Sequence, residues 1–341
     1  MAINASGREY QLVVGKQDVS ELNIGGDGDL VDADFVSGSR LFMRVGQING
    51  INYDGGFQTA EVLRSGRRSV EDGDFIQQYG LGTWSYDFDY LVENEIMLQT
   101  LLSLALDIAT TSGTITVTPA VSNTTNDYAH GSSTADNVGI VLLVAPPTTS
   151  GLLADDQIMH SAVLNTLTLQ MDMGTDAGRM HATGTFYSGY KPIVKDSGVT
   201  GAATAVNYEK GLLQFTTLTL GGHAITCSSF SMTITNEANR VGWQGTSAEA
   251  DGYVRAAQYD ISGTITVKYD ENMADALADW KAGTNYAIVL NDGGNHSFSI
   301  PNARMTGHNI DFADTGMFVE IPWKSTAGTD GDANLAVIKA T

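Results

Sequence analysis

Along much of this chain apolar and polar residues alternate one for one. Tyr86, Phe88 and Tyr90 are interleaved with Ser85, Asp87 and Asp89, and Phe230, Met232 and Ile234 with Ser229, Ser231, Thr233 and Thr235. Tyr259, Ile261, Ile265 and Val267 alternate with Asp260, Ser262, Thr264, Thr266 and Lys268. Successive side chains of a strand point to opposite faces, so each run has one apolar and one polar face, as in an antiparallel sheet packed on one side. Leu164, Leu167, Leu169, Met171 and Met173 continue the pattern, with a change of phase after Leu164. The 38 glycines and many Thr, Ser, Asn and Asp residues between the runs are turn formers, so the expected fold is mainly β.

Two segments shift to a helical period. In Asn94 to Leu106, the residues Ile96, Met97, Leu101, Leu104 and Ala105 fall on one side of a helix. In Asn272 to Ala282, Met273, Leu277 and Trp280 do the same, with Asp270 as the expected N-cap and Gly283 as the expected C-cap. Both are read as short helices packed on the core, not as an aromatic box for a cofactor.

The two helices sit in matching contexts. Each follows an alternating Tyr-Asp strand and precedes apolar strands, Ile140 to Val144 in one case and Tyr286 to Leu290 in the other. Further on, Met171-Asp172-Met173 resembles Ile310-Asp311-Phe312, and Phe186-Tyr187-Ser188 resembles Trp323-Lys324-Ser325. This weak two-copy repeat predicts two tandem β-sandwich or barrel domains, 1–195 and 207–341, divided by a Gly- and Ala-rich stretch. The first domain includes an N-terminal extension, residues 1–39, and an insertion near 110–136.

Each copy also carries a long polar insertion, read as a hairpin or loop arm. The first holds Arg64, Arg67 and Arg68 followed by Glu71, Asp72 and Asp74; the second holds Arg240, Trp243, Glu249 and Asp251. Opposite charges within one arm suit head-to-tail docking on an identical neighbour.

Composition narrows the function. Eighteen basic against 39 acidic residues leave a formal charge of −21, which repels nucleic acid and anionic membranes. The lone Cys227 excludes an intrachain disulfide and is expected to be a small buried apolar residue, in keeping with a reducing cytoplasm. Met1 to Val14 has no basic region followed by an apolar run, so no N-terminal export signal is expected. The acidic stretch Asp27, Asp29, Asp32 and Asp34 lacks the ligand spacing of a calcium loop, and the six histidines form no zinc pattern. Gly25-Gly26-Asp27-Gly28 lacks the Lys-Ser/Thr of a phosphate loop, and no Gly-x-Ser-x-Gly elbow is present. No enzyme, metal or cofactor is expected.

The second half runs from a Ser/Thr strand ending in Thr235-Asn236-Glu237 through an arm to Tyr259-Asp260-Ile261-Ser262-Gly263-Thr264-Ile265-Thr266-Val267. A short helix, paired strands with Ile300-Pro301 and the aromatic strand Met317 to Lys324 follow. This order resembles the tail tube proteins of siphophages, and the first half is similar through Arg64 to Arg68 and Thr83 to Leu106. The resemblance implies rings whose inner strands close into a barrel around a DNA channel, a helix outside it, and a hairpin reaching the next ring. With two tube-like domains, three chains would make a pseudo-sixfold ring; with one, six chains are needed. Implied partners are tail terminator and tail tip or baseplate proteins, with tape measure protein and DNA passing through; implied location is the virion tail, assembled in the host cytoplasm. Asp87, Asp89 and Asp260 are candidates for the channel wall, or else solvated outer-face residues; the arm residues are inter-ring candidates, or else ordinary surface charges. The competing functions are a capsid decoration or tail fibre protein and, behind them, a carbohydrate-binding β-sandwich.

Overall fold

The computed structural model describes residues 10–17, 35, 40–43, 45–54, 57–59, 75–77, 83–93, 95–106, 114–117, 128–129, 138–145, 156–194, 217–235, 238–241, 252–255, 260–284, 286–291, 296–313, 316–326 and 335–339. In chain order, the first half begins with β1 (Gln11–Lys16), β2 (Leu41–Met43), β3 (Asn52–Asp54), β4 (Phe57–Thr59), β5 (Phe75–Gln77), β6 (Thr83–Leu91) and α1 (Glu95–Leu106). It continues with β7 (Thr114–Val117), β8 (Tyr128–Ala129), β9 (Gly139–Val144), β10 (Gln157–Asp172), β11 (Thr175–Ser188) and β12 (Ile193–Val194). Then come β13 (Thr217–Leu220), β14 (His223–Ile225), β15 (Cys227–Thr235), β16 (Ala238–Val241), β17 (Gly252–Arg255), β18 (Asp260–Lys268) and α2 (Glu271–Lys281). The chain ends with β19 (Tyr286–Asn291), β20 (His296–Met305), β21 (Asn309–Ala313), β22 (Gly316–Ser325) and β23 (Leu335–Lys339).

One antiparallel path runs through eight of these strands in the order β3-β6-β11-β10-β15-β18-β22-β21. Its middle joint is the β10–β15 ladder, in which Leu167 faces Ile234, Leu169 faces Met232 and Met171 faces Phe230. The sheet is therefore continuous across the stretch where the repeat predicts a division. Strands outside this path build further layers. β10 continues into β9, β1 and β2, while β22 leads through β20 to β19, β13 and β14. The insertion near 110–136, which carries no legible pattern, supplies β7 to pair with β23 and β8 to pair with β17.

The alternating runs fold as their period dictates. Tyr86, Phe88, Tyr90, Phe230, Met232, Ile234, Ile261, Ile265 and Val267 are all buried in one apolar cluster. The phase change after Leu164 is a register shift: β10 pairs Leu164 with Phe186, then Thr166 with Thr185. One extra residue in a strand resets which side chains face inward. Close approach decides two positions in these ladders. Gly184 lies under the Phe88 ring and Gly263 under Trp323, which is itself stacked on Phe230 at 5.9 Å.

Both predicted helices form. Met97, Leu101, Leu104 and Ala105 of α1 are buried, and the helix packs on β10 and β15. In α2, Met273 and Leu277 are buried, and the Asp270 carboxylate accepts from the Met273 N–H as an N-cap does. The C-cap is Ala282, one residue before the expected Gly283, which takes the left-handed φ of 86° just beyond the helix. Cys227 is half-buried and not fully enclosed; its thiol donates to the Ser229 carbonyl, and burial pushes its pKa up to about 12.

Candidate functional site: the polar face of the long sheet

Because the buried side chains of the eight-stranded path share one phase, the opposite phase builds a single polar face. β6 presents Asp87 and Asp89, β11 presents Thr183 and Thr185, and β10 presents Thr168 and Gln170. β15 follows with Ser231 and Thr233, β18 with Ser262 and Thr264, β22 with Glu320 and Lys324, and β21 with Asn309 and Asp311. Hydroxyls dominate the centre of the sheet; carboxylates gather toward its ends.

These side chains bind mainly to one another across the strands. Thr168 and Thr233 hydroxyls meet at 3.0 Å, and Ser231 and Thr264 at 2.9 Å. The Thr185 hydroxyl donates to the Asp87 carboxylate at 2.6 Å, and a ring nitrogen of His181 lies 3.3 Å from Asp89. Cross-strand polar pairs of this kind contribute roughly 0.2–1 kcal/mol each. Their larger effect is to satisfy the paired hydroxyls within the sheet, while Gln170, Asn309, Lys268 and Lys324 stay exposed on the same face. Asp89 remains 70% exposed. Asp87 and Asp89, two of the three candidate wall residues, thus share a face with the hydroxyl ladder; register places the third, Asp260, opposite Thr235.

The candidate arms are bracketed by short paired strands. β4 and β5 form a two-stranded stem around the first, and β16 and β17 a stem around the second. Arg240 is part of β16, opposite Tyr253. Arg64, Arg67, Arg68, Glu71, Asp72, Asp74, Trp243, Glu249 and Asp251 lie outside the described residues.

A feature missed in the sequence anchors the second stem. Tyr253 of β17 is buried, and its hydroxyl accepts from the Gly189 N–H at 2.6 Å and donates to the Ser161 carbonyl at 2.9 Å. Tyr187 and Tyr190 flank its ring at 6.0 and 6.2 Å. Beside it His160 is buried against Tyr190, and burial lowers its pKa to about 4, keeping it neutral. The cluster has a fold-holding geometry: the buried hydroxyls of Tyr253 and Ser188 are both occupied by backbone partners. Among the described residues, no group of three or more His, Cys, Asp or Glu side chains is placed to hold a metal.

A mainly β protein with one long sheet, a hydroxyl-lined polar face and paired arm stems is an architecture for assembly. The chain belongs to the phage tail tube protein family, whose family model matches residues 7–325. It is a structural protein of the virion tail that assembles into a tube, and it is not an enzyme. None of the curated proteins matches this chain. Family membership sets aside the decoration, fibre and carbohydrate-binding alternatives.

Proposed function

We propose that the protein is the major tail tube subunit of a siphophage, and that its stacked rings surround the channel through which viral DNA passes. The observation that carries this reading is the polar face of the long sheet. It is rich in internally paired hydroxyls, and its carboxylates Asp87, Asp89, Asp311 and Glu320 outnumber Lys268 and Lys324, the lysines that share it among the described residues. A conduit for a polyanion needs such a wall, since every phosphate neutralised by Lys or Arg adds affinity and slows sliding.

In this reading residues 1–195 and 207–341 are two tube-like domains, so three chains complete a pseudo-sixfold ring. The support is the order of the long sheet, which is twice the same series: an outer strand, three residues long in β3 and nine in β15, a strand leading into a helix, and a hairpin. The arms carrying Arg64, Arg67, Arg68 and Arg240 reach the adjacent ring. Tail terminator and tail tip or baseplate proteins close the two ends, and the tape measure protein occupies the lumen before DNA does.

Negative-stain imaging of the purified protein, combined with mass per ring by native mass spectrometry, tests the proposal. Hollow stacks whose ring has the mass of three chains are expected. A six-chain ring removes the two-domain reading, and discrete monomers or trimers that never stack remove the conduit.

A further inference from the structure

The ladders of the long sheet repeat in register as well as in order. In β10–β11, Leu164 faces Phe186 and a one-residue shift follows; in β20–β22, Met305 faces Trp323, and the same shift precedes Asn309 facing Glu320 in β21–β22. Upstream, Ala162 of β10 faces Gly139 just after a shift, as Ala303 of β20 faces Tyr286 beside one. Before each helix the last ladder bond also matches: Val92 N–H donates to Met180, and Tyr269 N–H to Met317, both at 2.9 Å. Leu164 is thus equivalent to Met305, and Thr168, Leu169 and Met171 to Asn309, Ile310 and Phe312. By the same ladders Ser85 is equivalent to Ser262, since Tyr187 faces the one and Lys324 the other. Their outer partners, Asn52 and Thr233, then correspond as well.

The equivalent strands differ in what covers them. β10 is paired on both edges, and its Leu169 and Met171 are buried. β21 pairs only with β22 among the described residues, and Phe312, equivalent to Met171, is 73% exposed. At the other end of the path, β3 pairs only with β6 among the described residues. A sheet edge offers unpaired backbone donors and acceptors to a further strand.

Resting on the tube reading above, we infer that β21 of one chain pairs with β3 of the next, in the register that β10 and β15 show within the chain. Thr168 faces Thr233 and Leu169 faces Met232 at the internal joint. The joint between copies therefore sets Asn309 opposite Asn52, and Ile310 opposite Ile51, of the neighbouring copy. The occupant of both edges is a second copy, because the chain already carries the mating strand for each: β15 shows what seats on a β21-like edge, and β10 what seats on a β3-like edge. Such a contact is heterologous, so it propagates around a ring until the rotation closes. Core packing agrees. Ile48 and Ile51 lie against the apolar cluster beside β3, and Ile310 against it beside β21, so joining the edges extends one apolar layer from copy to copy. α1 packs across the internal joint on β10 and β15; at the outer edge Trp280 of α2 donates to the Met305 carbonyl at 2.8 Å and meets His308 edge-on at 5.5 Å.

The test is a cysteine pair, N52C with N309C, in a full-length C227S chain; both positions are exposed. Directly opposed residues of an antiparallel pair lie within disulfide reach. Mild oxidation of assembled tubes is expected to move more than half of the chains from the monomer band into covalent multimers on a non-reducing gel. Each single variant should stay monomeric, and the shifted pair N52C with D311C should cross-link at least severalfold less. Tubes that stay monomeric with the first pair, or that cross-link as well with the shifted pair, overturn the inference while leaving the tube reading intact. Wild-type protein that builds no tubes overturns the tube reading itself. Should the double variant fail to assemble, hydroxyl-radical footprinting of the unmodified protein decides: labelling of Phe312 must fall severalfold on assembly, and unchanged labelling contradicts the joint.

Discussion

Tyr253 closes on Ser161 through a 2.9 Å bond from its hydroxyl to the serine carbonyl, and this bond fastens the second arm stem to β10. Ser161 has a left-handed φ of 47°, in the register shift of β10 between Met159 and Ala162. Its N–H donates to the Gln17 side chain at 2.6 Å, so both backbone groups of a strained residue are held by distant side chains. Tyr253→Phe would leave the Gly189 N–H and the Ser161 carbonyl buried without this partner. Such orphaned groups cost about 1–3 kcal/mol each. The variant should lose about 2–4 kcal/mol in urea denaturation; a loss below about 0.5 kcal/mol would mean the stem is held elsewhere.

Gly263 is required by proximity. An added Cβ would run into the Ser231 carbonyl oxygen and lie 2.9 Å from the Trp323 ring. Gly263→Ala must therefore push β15 and β18 apart at the centre of the long sheet. Overpacking in a core costs typically about 1–3 kcal/mol, and a clash with backbone belongs at the upper end. A fall in Tm is expected. An unchanged Tm would contradict the strand spacing.

His160 makes stability depend on pH. Its folded pKa of about 4 is below the ordinary 6.5, because burial disfavours the charged imidazolium. Above pH 6.5 both folded and unfolded chains hold it neutral, and its contribution is complete. As pH falls from 6.5 toward 4 only the unfolded chain takes up the proton, so stability is lost across that window. Between pH 7 and 5 the wild type should lose about 2 kcal/mol more than His160→Gln in denaturant titrations. Parallel curves for the two proteins would show that the imidazole titrates normally.

Asp87 and Asp89 test the polarity of the wall. Both are exposed, so D87K with D89K should fold and assemble. Exchanging two carboxylates for two lysines per chain, beside Lys268 and Lys324, would turn the proposed lumen face toward holding phosphate. DNA ejection from variant virions should slow, with a delay that shrinks as salt rises. Ejection at the wild-type rate, with no salt dependence, would place this face outside the channel.

The strands were legible wherever one face is buried and the other is not, because burial then imposes the two-residue period. Phe230 to Ile234 and Tyr86 to Tyr90 are of this kind, and even the bulge after Leu164 showed as a slip in phase. Asp270 announced its helix because capping is local chemistry. Pairing between distant strands leaves no local trace, so the seating of β7 on β23 and of β8 on β17 was invisible. Neither could a tyrosine among many declare that Tyr253 bonds across to Ser161, nor a serine that it adopts a glycine-like φ. The polar face was half visible: Asp87 and Asp89 stood out by charge, whereas Thr168, Thr233, Ser231 and Thr264 looked like ordinary strand residues until their hydroxyls were brought together.

A cryo-electron microscopy reconstruction of tubes grown from the purified protein would bear most directly on whether neighbouring copies knit their sheets into one wall. Strand density is expected to run without a break from β21 into the next chain's β3, with the side chains of Asp87 and Asp89 on the inside. Copies that touch only through loops or helices, with both strand edges left open, would contradict it.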